Sequence, residues 1–337
     1  MRKSYHIPMF VLAVLASSSC QEILSVDYSA SEPMLVMSAQ LRSSETDHVV
    51  TLSVGTPFGL QMPADDAQVR LYVNGEFVAS RDSVEYVESE YQQRHHLSAS
   101  FKPGDRLRVE AVSGDMEVYA ENVFPDQMCS IRVDSSSVSS PRAYSSMPDA
   151  RLYSFVLTLE DVAGQSTLYR ALLPSCWLRE SSSDGVPYLT EEVMSLDWGD
   201  CYGMYDPVFG NLESPISPDM EAATGLVFTQ TNYARIFSDE LFRDGEYVFH
   251  FDEVLDQADF NSSASMLDSW VIFYFATLNE DDYMYYNYYN AVYSSSLLSD
   301  LIPTCSNVVG GSGYVATMTT AEARLDLKTL HNIYDMY

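Results

Sequence analysis

Between residues 34 and 124 the chain is cut into short apolar runs, each closed by a turn signal. Leu107-Arg108-Val109-Glu110-Ala111 alternates apolar and polar side chains at period two, as a strand buried on one face does. The runs at 34–41, 49–54, 69–73, 77–79, 95–101 and 118–124 also read as strands. Asn74-Gly75 separates two of them and suits the positive φ angles of a type I′ hairpin turn, and Lys102-Pro103-Gly104-Asp105 marks another turn. Short strands in this number, with no helical stripe among them, predict an immunoglobulin-like or fibronectin-like β-sandwich over residues 34–127.

At 337 residues the chain is long enough for a second core. Serines at 135–140, followed by Pro141 and Pro148, place the boundary near 125–134. Residues 128–337 are then a larger antiparallel β-rich (α+β) domain. Its expected strands are 152–159, 167–173, 227–229, 247–251, 269–278 and a last one near 315–319. Residues 236–242 suit a short turn of helix, and 177–220 has no sustained period. One helix is clear. Asn279 is a good N-cap, and Glu280, Asp281 and Asp282 fill the first turn, where carboxylates meet the positive end of the helix dipole. The helix is tyrosine-rich and runs to about residue 298. Tyr285, Tyr289 and Tyr293 recur at i, i+4, i+8, which predicts the face laid on the strand at 269–278. Tyr283, Tyr286 and Tyr288 are then nearer solvent, as a candidate contact patch.

Arg2 and Lys3 precede an apolar run at 7–16, then Ser17, Ser18, Ser19 and Cys20. The run is too short for a spanning helix, which needs ~20 residues, and the order is that of a secretory signal peptide over 1–19. A Cys directly behind small residues resembles a bacterial lipobox, which makes Cys20 the lipid attachment site and 20–33 a polar tether. Acyl chains contribute ~0.8 kcal/mol per buried CH₂, so several on one Cys anchor firmly. The alternative is ordinary cleavage near Ser19 with Cys20 a plain thiol. Cys129, Cys176, Cys201 and Cys305 remain, and outside the cytoplasm they allow three pairings. Cys176 with Cys201 is the first candidate disulfide, being closest in sequence; the alternative is four small buried apolar residues.

Charge narrows the partners. With 18 Lys+Arg against 48 Asp+Glu the formal net charge is −30, which argues against nucleic acid and against a grip on anionic lipid headgroups. The sequence has no phosphate loop, dinucleotide fingerprint or C-x-x-C pair. His95 and His96 are adjacent and so point to opposite faces of a strand, and His250 alternates with Phe249 and Phe251. Ser312 stands among glycines without the strand-to-helix context of a nucleophile elbow. Asp197, Asp200 and Asp206, with Gly199 and Gly203, form an oxygen-rich stretch that reads as a calcium loop or as a solvated acidic loop. The expectation is a non-enzymatic chain without cofactor, metal or catalytic residue.

Five segments carry a family resemblance. They are residues 104–109 ahead of Val123-Phe124-Pro125, residues 151–169, residues 235–245, the tyrosines of 283–293, and the closing Gly310-Gly311-Ser312-Gly313-Tyr314 with Asn307 before it. In this order they resemble a Bacteroidota outer-membrane lipoprotein family of unknown function (domain of unknown function 4249), whose members are often encoded beside TonB-dependent receptors. The resemblance implies a lipid-anchored place at the outer membrane, on the cell surface, and a two-part architecture, but no chemistry. The function expected from it is a non-enzymatic accessory subunit of a TonB-dependent transport or secretion complex. The alternative is a stand-alone adhesin or glycan- or ligand-binding module, with a hydrolase as the remote one.

Overall fold

The computed structural model of the protein describes residues 32–56, 61–80, 82–139, 150–161, 166–172, 174–181, 187–195, 206–210, 212, 231–256, 266–294 and 305–326. The chain is mainly β, in several sheets, with one α-helix among the described residues. No described helix is long and apolar enough to cross a membrane.

The first part holds β1 (Met34–Arg42), β2 (Asp47–Gly55), β3 (Gln61–Met62), β4 (Gln68–Val73), β5 (Glu76–Ser80), β6 (Ser83–Val87), β7 (Gln92–Ser98), β8 (Arg106–Ser113) and β9 (Met116–Val123). β1, β2, β7 and β6 lie side by side in one sheet; β9, β8, β4 and β5 lie side by side in another. Alternate residues meet in an aliphatic core: Leu35, Met37 and Leu41 from β1, Val50 and Leu52 from β2, Leu71 from β4, Val109 from β8 and Val118 from β9. Each such side chain contributes roughly 1.5–3 kcal/mol by leaving water. Asn74 and Gly75 take φ of 53° and 84°, as the hairpin between β4 and β5 requires.

The second part holds β10 (Ser130–Ser139), β11 (Ala150–Glu160), β12 (Leu168–Ala171), β13 (Ser175–Ser181), β14 (Pro187–Ser195), β15 (Ile236–Ser238), β16 (Glu246–Asp256), β17 (Met266–Leu278), α1 (Glu280–Ser294), β18 (Val308–Val309) and β19 (Val315–Asp326). β10, β11 and β16 form an antiparallel sheet. It packs on β17 through an aromatic core containing Phe155, Phe249, Phe251, Phe273 and Phe275. Phe273 meets Phe155 edge-on with ring centroids 5.1 Å apart.

Three expectations are corrected. The serine-rich stretch read as marking the domain boundary belongs to β10, paired with β11 from Ser130↔Glu160 to Ser139↔Leu152. An edge strand needs a backbone ladder on one side only, so apolar alternation is not required of it. Within 177–220, residues 177–181 and 187–195 belong to β13 and β14, which pair with each other, and β13 also pairs with β17. Within 236–242 the expected short turn of helix is confined to a 3₁₀ turn at Asp239–Leu241, and Ile236–Ser238 before it form strand β15. The strand expected at 227–229 lies outside the described residues.

The sequence boundary at 127/128 also misses how the ends join. β19 runs parallel to β1 and antiparallel to β17, so one sheet continues through both parts. β18 adds to β9, and Val308 and Val315 enter the aliphatic core. The loop between β18 and β19 lies on β1, with Ser312 N donating to Leu35 O at 3.1 Å and Met37 N to Ser312 O at 2.9 Å. That approach is why glycines are needed there. A Cβ at Gly311 would stand 2.2 Å from Leu35 O, and one at Gly313, whose φ is +113°, 2.1 Å from Met37 O.

Candidate functional site

The helix α1 starts as its sequence predicts: Asn279 Oδ1 accepts from Asp282 N at 2.7 Å. The face it buries is another matter. Asp282, Tyr283, Tyr286, Asn287, Asn290 and Ala291 are buried, while Tyr289 and Tyr293 are 37% and 64% exposed. Tyr285 and Tyr288 are half-buried. The expected patch is therefore corrected: Tyr283 and Tyr286 are core residues, and the exposed aromatics are Tyr289 and Tyr293, 4.3 Å apart, with Tyr233 beside Tyr293 at 6.4 Å. Tyrosine spacing misled because polar residues, not tyrosines, set the helix rotation.

Asp282 is the first of these polar anchors. It is fully buried where β9, β19 and α1 meet. Asn122 Nδ2 from β9 donates to Oδ1 at 3.0 Å. Asn279 Nδ2 and Thr317 N donate to Oδ2 at 2.8 and 3.1 Å. The Thr317 hydroxyl lies 3.2 Å from the same oxygen and 2.9 Å from Val123 O, so its one proton serves both. Asn279 Nδ2 also reaches Asn122 Oδ1 at 2.9 Å, closing the ring. Burial pushes the Asp282 carboxyl up to about 6, against the Thr317 amide and Asn122, which favour its charged form. At neutral pH it is a buried carboxylate satisfied by donors. Tyr314 stacks on Tyr285 at 4.0 Å, and its buried hydroxyl has no hydrogen bond of good geometry. Burial first and the Asp282 charge second push that phenol well above its ordinary range.

Two turns along the helix, Asn290 is the second anchor. Its Oδ1 accepts from Ala234 N at 2.7 Å and its Nδ2 donates to Asn232 Oδ1 at 3.0 Å. Asn232 in turn donates to Phe209 O and Ile236 O, so the approach to β15 hangs on two buried amides. Between the anchors Arg170 of β12 lies over the Tyr286 ring at 4.1 Å and donates to Ala234 O and to Gln40 Oε1 of β1, both at 3.0 Å. The arrangement fixes four segments on one helix. The lone pairs of Asp282 serve structure, taken up by Asn122, Asn279 and Thr317.

The other singled-out residues serve structure where they are described. Asp206 caps the 3₁₀ turn Pro207–Phe209 by accepting from Val208 N at 3.0 Å, and the Tyr247 hydroxyl donates to it. Asp197, Asp200, Cys201 and Cys20 lie outside the described residues, as does the side chain of Cys176. Cys129 is buried, and burial pushes its thiol up to about 12, which makes it a poor nucleophile. His95 is buried, and His96 on the opposite face pairs with Asp47 at 3.3 Å. His48 Nε2 lies 3.2 Å from Ala99 O, and burial pushes its pKa down. Among the described residues no group of three or more His, Cys, Asp or Glu is placed to hold a metal ion.

The sequence carried one sign of the anchors. Asn122 continues the inward phase of Val118 and Ala120, where an apolar residue is the rule. Thr317, Asn232 and Asn290 carried none, since their partners are far off in the chain. A search of the curated proteins finds no match. The profile of DUF4249, a domain of unknown function, matches residues 21–324. That span runs from ahead of β1 into β19 and takes in Asn122, Asn279, Asp282, Asn290 and Thr317 alike; the chain belongs to the DUF4249 family.

Proposed function

We propose that the protein is a surface-anchored outer-membrane lipoprotein and a non-enzymatic accessory subunit of a TonB-dependent transport or secretion complex. The observation that carries this is the order Arg2-Lys3, apolar run, three serines and Cys20, fourteen residues ahead of Met34, the first residue of β1. An anchor on Cys20 with a short polar tether holds a rigid β-framework at a membrane surface. The buried polar chemistry supports a structural use: Asp282, Asn290 and Asp206 all spend their capacity on backbone and side-chain partners within the fold. The test is Cys20→Ala with fractionation. The variant is expected in the soluble fraction; a variant that still sediments with outer membrane after a salt wash ends the anchored reading. Cross-linking of the wild-type chain in intact cells is then expected to trap a TonB-dependent receptor.

A second reading, a stand-alone adhesin or ligand-binding module, draws on the exposed Tyr233, Tyr289 and Tyr293. Stiff aromatic faces of this kind suit protein and sugar surfaces. Retained binding to host cells or glycans by the purified chain alone would favour it over the accessory role.

A further inference from the structure

We propose that the free edge of β6 takes a partner's extended segment as an added strand, one in which apolar and basic residues alternate. The inference rests on the edge and not on the anchored-accessory reading. β6 pairs with β7 on one side, and among the described residues no strand pairs with its other side. Its backbone donors and acceptors on that side are a ready template. Exposed edges are usually blunted by Lys, Pro or a bulge. β6 reads Ser83-Val84-Glu85-Tyr86-Val87, with none of these.

The two faces of β6 dictate the partner's pattern. Val84 stands directly opposite His95 in the ladder, so Val84 and Tyr86 share the inward face with His95 and Leu97. His95 and Leu97 are fully buried there, yet Val84 and Tyr86 are 41% and 49% exposed. The inward face of β6 is thus apolar and uncovered, and β5, which ends the facing sheet, is itself exposed at Phe77 and Val78. Glu85 sits on the outward face opposite Arg94. Residues 82–90 carry Asp82, Glu85, Glu88 and Glu90 and no basic residue. Residues directly opposite in a ladder share a face. An added strand therefore sets apolar side chains against Val84 and Tyr86 and basic ones against Glu85. A second copy of the chain is the wrong occupant, because β6 against β6 sets acid on acid.

The probe is an eight-residue peptide alternating Lys and Val, with the Glu and Val counterpart as control, titrated by fluorescence anisotropy at physiological salt. The Lys peptide is expected to bind at least tenfold tighter, and to slow amide exchange at 83–87 tenfold or more. The double variant Val84→Lys, Tyr86→Lys is expected to melt as the wild type does, since both residues are half exposed, and to lose the Lys peptide. Glu85→Lys is expected to reverse the preference toward the Glu peptide. Lys-peptide binding that survives the double variant is diffuse attraction to an acidic chain and overturns the proposal. Absence of exchange protection at 83–87 in the wild type overturns it as well, as does a dimer formed through β6 without peptide.

Discussion

The aliphatic core between β1, β2, β4, β8 and β9 and the aromatic core between β11, β16 and β17 solve one problem with different means. The first fills its interior mostly with Leu, Val, Met and Ala, and His48 is buried beside it against Phe101 and Ala99 O. The second fills its interior with rings, Phe155, Phe251 and Phe273 among them, in edge-on contacts of 5.1 and 5.8 Å. Neither core is what joins the two. The join is the strand β19, which pairs with both β1 and β17, pinned by polar groups: Asp282 and Asn290 on α1, and a glycine loop pressed on β1. Cores made of interchangeable apolar contacts tolerate adjustment, whereas a join made of single hydrogen bonds and close backbone approach does not.

The largest effect is expected at the glycine loop. Gly313→Ala forces a Cβ to within 2.1 Å of Met37 O at a φ of +113°, and is expected to cost more than about 4 kcal/mol. Urea denaturation measures it. A loss near that of an ordinary surface substitution would mean that the loop moves off β1 freely and that the join lies elsewhere. Next, Tyr286→Ala removes a buried ring beneath Arg170 and is expected to cost about 3–5 kcal/mol.

The third test sets the two regions against each other by pH. Asp282 has its folded pKa raised to about 6 from the usual 3.8, so the folded chain holds a proton that the unfolded chain releases between those values. Its contribution is most favourable below about pH 4 and falls as pH rises toward 6, by about 3 kcal/mol over the window. His48 acts with the opposite sign. Its folded pKa lies below 6.5, so its contribution is present above 6.5 and is lost as pH falls below that value. Acidification is therefore expected to loosen the strands around His48 while it tightens the join. Hydrogen exchange resolved by segment at pH 4.5 and 7.5 reads both; a parallel change in the two segments would break the comparison. The smallest effect belongs to the outward tyrosines. Tyr293→Ala, 64% exposed, is expected to stay within about 0.5 kcal/mol of the wild type in thermal melts, and Tyr289→Ala, 37% exposed, to cost somewhat more.

How far the sequence could be read follows from the same contrast. The strands of the aliphatic core were legible from alternation, because each is half-buried and carries its own pattern. β10 was not, because only Ile131 and Val133 carry an apolar phase and its serine-rich second half is held by the ladder to β11. The start of α1 was legible, since the cap from Asn279 to Asp282 spans three residues. Its buried face was not, because Tyr286 and Tyr289 are the same residue type and only their distant neighbours differ.

By itself the sequence determined the β class, the Asn74-Gly75 hairpin and the helix cap, all of which rest on residues close together in the chain. Tertiary structure alone decided that β19 joins β1, that Asp282 meets Asn122 and Thr317, and that Val84 and Tyr86 are left uncovered. The physical reason is range. Torsional preference, capping and alternation act over a few residues, while a buried carboxylate finds donors 160 and 35 positions away only once the backbone has already brought them there.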